Sequence, residues 1–419
     1  MTGCSIRHTF QCERDDQCGS AAMATCQPTG YCSFADGNCS SGWRYDDLAA
    51  ASYAGKCVGD GAGADAGADS DGACWPYTAT NLDPCALGTP APALDLTMTA
   101  NSYELDTGNG QWKVEDISIA GPPGSTRTQA SGTNVRVLEL LGFSLASGAN
   151  LTIKGPLPLV IIVHGSSTIA GTITVEAGRA TASQCGNGIS GTGAITASGG
   201  GGGGGGGFGT DGAGGGNGGG GRTGGGLGAT SGIASLSPLR GGCDGGQGGP
   251  SAVGDTAGRG NGGGGFEMIV RDALVVSGRI EAPGRGGNGG PTNVNGGGGG
   301  AGGGAGGAVF LEAADLTIEA TGDVCANGGA GGEGGSTTLV GAGGNDGMCT
   351  TPATSPNATT GGDGGSGATA TTAAGVGATG GVADAGGGGG GGGVGRIRLR
   401  GVSTRMIKAG ATISPAAVP

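Results

Sequence analysis

Ile169-Ala-Gly171-Thr-Ile173-Thr-Val175, Val276-Ser-Gly278-Arg-Ile280-Glu-Ala282 and Ala320-Thr-Gly322-Asp-Val324-Cys-Ala326 share one reading: apolar, any, Gly, any, apolar, any, small or apolar. Ile407-Lys-Ala409-Gly-Ala411-Thr-Ile413 is a looser fourth version. The alternation extends upstream, to Leu274 in the second copy and to Leu316 and Ile318 in the third. In an extended chain alternate residues point the same way, so each copy presents one apolar face. A slip of one residue would turn that whole face to water, which specifies the register. Units that each bury one face and recur along a chain imply stacked rungs around a narrow core. The shared Gly lets the chain bend at a corner without side-chain crowding. The fold expected is all-β, a parallel β-helix (β-solenoid). A β-sandwich is the alternative, because short strands with frequent turns also build sandwiches.

The copies are separated by glycine-rich insertions at about 178–263, 283–306 and 327–393, and Gly199 to Gly207 is an unbroken run. Glycine supplies 110 of 419 residues, against roughly 7% in ordinary proteins. Ordering such a run costs ~1–2 kcal/mol per residue in backbone entropy. Each backbone hydrogen bond returns only ~0.5–1.5 kcal/mol. The balance is near zero, so mobile loops and a bundle of polyproline-II-type threefold helices are both open; the cross-linking Cys and a strand resuming after every insertion favour partial order, and polyglycine-II-like insertions are expected.

Thirteen Cys, none in a C-x2-C pair, and only two His argue against zinc and for disulfides in an oxidising compartment. Cys12, Cys18, Cys26, Cys32, Cys39 and Cys57 fall in a small module over 4–57 that has few large aliphatic side chains, so disulfides must replace a core. Their connectivity is not legible from spacing. Residues 58–73 read as an acidic Gly/Ala/Asp linker, and 74–415 as the glycine-rich β-solenoid. Cys74 with Cys85, Cys185 with Cys243, and Cys325 with Cys349 are the expected pairs beyond the module. The parity of the third copy turns Cys325 outward, toward the insertion that holds Cys349. The remaining Cys4 follows Met1-Thr2-Gly3, which reads as the end of a lipoprotein signal and makes Cys4 the lipidation candidate. The alternative is that Cys4 pairs within the module.

The net charge of −12 argues against nucleic acid as the main partner. No apolar run is long enough for a transmembrane segment; the longest is Leu157–Val163. No cofactor or metal motif stands out, and the GxGxxG matches in the glycine tracts lack the strand–helix setting that phosphate binding needs. His8 and His164 have no nucleophile in a recognisable arrangement. Outward positions of the repeat carry Thr172, Thr174 and Glu176, then Ser277, Arg279 and Glu281, then Thr321 and Asp323. Stacking in register makes Arg279 the neighbour of Asp323, an ion pair before it is a catalytic constellation. A Thr ladder suited to ice fails after Thr172 and Thr174. Arg396, Arg398 and Arg400 alternate along a late strand as a basic outer face, read as protection of an exposed edge or contact with an anionic glycan.

Cys12-Glu-Arg-Asp-Asp-Gln-Cys18, Thr29-Gly-Tyr31-Cys32-Ser-Phe, Ser41-Gly-Trp43-Arg-Tyr45 and Gly55-Lys-Cys57 together resemble the cysteine-rich N-terminal module of glycine-rich secreted lipoproteins of myxobacteria. Leu157-Pro-Leu-Val-Ile-Ile-Val163 and the glycine tracts are similar to the β-helix-like bodies of that family. The tracts share only composition with glycine-rich antifreeze proteins. The resemblance implies an extracellular or outer-surface location and brings no catalytic residues. The function expected is a secreted or lipid-anchored structural or adhesive protein of a bacterial surface, not an enzyme, whose partners are extracellular glycans or other surface proteins. The alternatives are a carbohydrate-active β-helix enzyme and an ice- or surface-binding protein.

Overall fold

The structure, a computed structural model, describes residues 75–97, 102–129, 133–181, 184–355 and 361–418, and within the first 74 positions residues 12, 14–18, 24–27, 31–36, 39, 42–46, 49 and 56–58. Two compact units divide between Pro76 and Tyr77, and the described residues contain no α-helix.

In the first unit β1 (Ala24–Cys26), β2 (Cys32–Ala35) and β3 (Trp43–Tyr45) form an antiparallel sheet. Disulfides join Cys12 to Cys26, Cys18 to Cys32 and Cys39 to Cys57. Buried Cys12, Cys18 and Cys32 are themselves the core, with Phe34 packed against them. Bridges of this kind typically contribute ~2–4 kcal/mol each by restricting the unfolded chain. The lipidation candidate Cys4 and the linker at 59–73 lie outside the described residues. So does Cys74; Cys85, its expected partner, is disulfide-bonded.

The second unit is built from short strands first: β4 (Leu94–Leu96), β5 (Ser102–Asp106), β6 (Gln111–Val114), β7 (Ile117–Ile119), β8 (Ser125–Thr128), β9 (Asn134–Leu140), β10 (Phe143–Leu145), β11 (Asn150–Lys154), β12 (Leu159–Val163), β13 (Ser167–Ile169) and β14 (Thr172–Val175). Three long strands, each followed by a short one, complete it: β15 (Gly265–Val276) and β16 (Arg279–Glu281), β17 (Ala308–Ile318) and β18 (Asp323–Cys325), β19 (Arg396–Ile407) and β20 (Thr412–Ser414). One sheet holds the long strands with β4, β8, β9, β10, β12 and β13; the other runs β20-β18-β16-β14-β11-β5-β6-β7. Both are mixed. Pairing is parallel except at β8·β9, β5·β6 and β6·β7.

The repeat places equivalent residues side by side. Ile173 pairs in register with Leu151 and Ile280, Ile280 with Val324, and Val324 with Ile413. Leu274 and Val276 pair likewise with Leu316 and Ile318. These side chains join one apolar core between the two sheets. Ile173, Ile280 and Val324 are fully buried, each worth roughly 1.5–3 kcal/mol over exposure. The Gly of each copy is the corner between the sheets. A Cβ on Gly171, Gly278 or Gly322 would come within 2.3, 2.1 and 2.5 Å of the carbonyl oxygens of Ala149, Gly171 and Val276. No side chain fits that approach.

The insertions are ordered, with a period of three. In the run Gly199–Gly207, Gly200, Gly203 and Gly206 donate their N–H to Gly297, Gly300 and Gly303. Gly199, Gly202 and Gly205 donate to Gly219, Gly216 and Ala213; Gly201, Gly204 and Gly207 donate to Thr192, Ile189 and Gly186. Carbonyls along the same run accept from Gly387, Gly390 and Gly393, from Gly225 and Gly228, and from Gly249 and Gly246. The run is thus enclosed by neighbouring segments on all sides. The tract 297–307 is surrounded in the same way: it donates to 384–393, 243–249 and 282–291, and accepts from 329–335, 260–263 and 200–206. A three-residue period with hydrogen bonds only to neighbouring segments is the pattern of polyproline-II-type helices, which have no internal bonds. A Cβ on Gly203 would stand 2.2 Å from the Gly246 carbonyl oxygen, and one on Gly300 2.1 Å from that of Gly332. The neutral balance estimated from sequence is tipped by the fixed ends of the tracts. Each returns to a strand, and disulfides Cys185–Cys243 and Cys325–Cys349 close two insertions, so less chain entropy remains to be lost.

Cys325 does project on the side opposite the core, yet it is 2% exposed, because its insertion folds over it. Its parity and its disulfide to Cys349 in the following insertion are as the repeat implies.

Candidate functional site

Three regions of the second unit carry chemistry-bearing side chains. The first is the outer face of the sheet of short strands. Register puts Thr152, Thr174, Glu281 and Cys325 in one row and Asn150, Thr172, Arg279 and Asp323 in the next. The row is chemically mixed rather than a Thr ladder. Arg279 meets Asp323 through Nε at 3.1 Å and Nη2 at 2.9 Å, both to Oδ2. Thr174 Oγ1 donates to Glu281 Oε1 at 3.0 Å. Burial pushes the Glu281 carboxyl above its usual range, against the Thr174 hydrogen bond and the Arg279 and Arg285 charges. Glu176 pairs instead with Arg285. Ser277 and Thr321 meet at the corner, where Thr321 Oγ1 donates to the Ser277 carbonyl at 2.8 Å.

The second region is an open cleft of about 550 Å³ where that face meets the glycine insertions. Lys154, from the end of β11, and Glu176, just past β14, form one wall with Gly155 and Pro156. Arg179, Thr181, Asp244, Asn261 and Arg285 line the rest. Lys154 Nζ is 2.6 Å from Glu104 Oε2, and Arg179 Nη1 is 3.2 Å from Asp244 Oδ1. Arg285 bridges Glu176 and Asp346. The Lys154 hydrogen bond lowers the Glu104 carboxyl, and the same bond raises the Lys154 ammonium. Sequence reading singled out Glu176 but gave no sign that it would face Arg179, Arg285 and Asp244, which come from the insertions.

The third region is the end of the glycine bundle remote from the long strands. Directions of the tracts bring the turns at 194–198, 250–255, 292–296, 336–340 and 382–385 together there. Backbone hydrogen bonds link them: Ala197 to Asn295, Ala252 to Gly296, Asn293 to Ser336 and Gly297 to Asp384. Ile195, Val253, Val294, Leu339, Val340 and Val382 sit on these turns, each more than half exposed. Among the described residues only Ile117, Ile189, Val376 and Met406 are large, apolar and equally exposed, so the bundle end is where exposed aliphatic side chains concentrate.

The basic strand has a different role from the one its sequence suggests. Arg396 Nη2 and Arg398 Nη1 donate to the carbonyls of Gly232 and Ser235, and Arg400 Nη1 to that of Thr78. Arg400 also pairs with the buried Glu312. These arginines tie loops down over the outer face of the long strands. The strand edge is met by the chain end, where Val418 N–H donates to the Ile397 carbonyl at 2.8 Å. His164 Nε2 lies 2.9 Å from Glu139 Oε1. His8 lies outside the described residues.

Comparison of the chain with models of known families, with curated proteins and with solved structures returns no match.

Proposed function

We propose that the chain is a non-catalytic structural and adhesive protein of a bacterial outer surface or its surroundings: a parallel β-helix carrying a polyglycine bundle as a stiff display platform. The in-register line Leu151, Ile173, Ile280, Val324, Ile413 with its corner glycines supports the β-helix. The observation that carries the functional reading is the bundle. Its inner tracts have no side chains with which to do chemistry, and its far end presents Val253, Val294, Leu339 and Val340 to solvent. A device of that composition holds turns at a fixed place and offers them for contact. Disulfides in both units fit an oxidising compartment. The resemblance of the first module to secreted lipoproteins supports an anchor at Cys4.

The test is adsorption of the purified protein to alkyl-terminated and hydroxyl-terminated layers in a mass-sensing cell. Preferential retention on alkyl, reduced in Val294→Asp/Val340→Asp, is the expected result; equal retention on both layers overturns the adhesive reading. The enzyme alternative draws on Glu281, a carboxyl held toward its neutral form on the outer face, as a general acid would be. A screen for release of new chain ends from acidic polysaccharides decides it. Cleavage abolished by Glu281→Gln or Asp323→Asn overturns the non-catalytic assignment.

A further inference from the structure

We infer that the cleft around Arg179 and Arg285 binds a neutral, hydroxyl-rich saccharide segment. The inference deepens the adhesive reading and rests on it for the place where the ligand is met. The volume of about 550 Å³ lies within the range of small-molecule sites, and the open side admits part of a longer chain.

The charge pattern selects the ligand class. Lys154, Arg179 and Arg285 are each matched by an acid: Glu104, Asp244, and the pair Glu176 and Asp346. Lys113 shares Glu104 with Lys154, so four cations stand against four carboxylates and leave no positive surplus. A uronate or sulfate would have to displace Glu176 or Asp244 from its arginine. Among the described residues, an apolar ligand finds only Pro156, Pro283 and Ala180 on the walls, with no aromatic or large aliphatic side chain. What the cleft does offer is a dense alternation of donors and acceptors. A guanidinium has five N–H donors and a carboxylate about four acceptor positions, more than the ion pairs engage. Asn261 and Thr181 add groups that both donate and accept. Vicinal hydroxyls, each a donor and an acceptor, are the chemistry that fits such walls without disturbing the ion pairs. The cations are held in place before binding, so little side-chain ordering is left to oppose it.

Calorimetric titration of the full chain with neutral hexose, uronate and sulfated oligosaccharides, at low and high salt, tests this. A neutral oligosaccharide is expected to bind with little salt dependence. Arg179→Ala is expected to weaken it roughly tenfold or more, the scale of one charge-assisted hydrogen bond, with an unchanged melting temperature. Arg285→Met is the second variant; because Arg285 also braces Asp346, Arg179→Ala serves where Arg285→Met fails to fold. Stronger, salt-sensitive binding of the uronate or sulfated series overturns the neutral class. No binding of any series by folded protein overturns the site. Neither outcome alters retention on the alkyl layer, which involves Val294 and Val340, so the two readings fail separately.

Discussion

Glu267 on β15 and Glu312 on β17 are diagonal neighbours on the outer face of the long strands, and both are sealed from solvent. The residues that seal them come from far upstream. Asn81 Nδ2 donates to Glu267 Oε2 at 2.9 Å, and Thr80 donates through its N–H at 3.0 Å and its Oγ1 at 3.1 Å to Glu312. Tyr77 OH donates to the Val270 carbonyl at 2.8 Å. Burial first, and then the Glu312 charge, drive the Glu267 carboxyl well above its ordinary range.

A raised folded-state value makes stability fall as pH rises. Below the ordinary carboxylate range the acid is neutral in both folded and unfolded chains. Above it the unfolded chain releases its proton while the folded chain retains it, and the difference favours unfolding until the folded group titrates too. Glu267→Gln, which mimics the neutral acid, should flatten that decline in denaturant unfolding followed across pH. An unchanged slope would refute the assignment. Glu312→Gln, by contrast, weakens the Arg400 pair and should cost ~1–3 kcal/mol, the range for a buried group that loses a partner.

Gly203→Ala should destabilise at the upper end of the ~1–3 kcal/mol typical of overpacking, or beyond it, because the methyl meets a backbone oxygen at 2.2 Å with no flexible neighbour to yield. Gly88→Ala is the control, since nothing lies within 4 Å of its Cβ. Thermal unfolding of the two variants measures the contrast; equal melting temperatures would mean that the tracts are not packed.

Replacing Cys185 and Cys243 together by Ser removes a crosslink spanning 58 residues. Loop entropy puts the expected loss at about 4 kcal/mol. Faster proteolysis within 186–242, with the strands of the body still protected, would place the loss in the insertion. Uniform protection would contradict it.

Asp323→Asn should shift stability by less than about 1 kcal/mol, because the Arg279 side chain is 43% exposed and solvent screens the pair. A double-mutant cycle with Arg279→Met reads the coupling directly.

The stacked copies were legible because an alternating face and a corner Gly are local features. Ile173, Ile280 and Val324 announce their shared environment within seven residues each. Arg279 and Asp323 followed from the same register. The order of the glycine tracts was legible only in outline, from the Cys pairs and the strand that resumes after each insertion; which segments neighbour one another was not. What holds Gly203 is the carbonyl of Gly300 and the room left by Gly246, and neither partner leaves a mark on a sequence of bare glycines. The Glu267–Glu312 pair was missed for a related reason. By parity both point away from the core, which reads as toward water. The signal lay in their neighbours: Ile269 and Phe310 share that outward face and are fully buried, so something had to cover it. That the cover comes from Thr80 and Asn81 is a long-range fact with no local trace. Arg396, Arg398 and Arg400 suffered the same ambiguity, since a basic face looks alike whether it meets water or the carbonyls of a loop.

Because consecutive residues of a glycine tract address three different neighbours, each tract works as a screw with a three-residue thread. Deleting one residue turns everything beyond it by a third of a revolution and breaks every match at once. Deleting three advances the screw by one thread and leaves the remaining positions in phase. Length in these tracts is therefore quantised, and a repetitive gene that gains or loses glycine codons by slippage keeps its bundle only when it does so in triplets of codons.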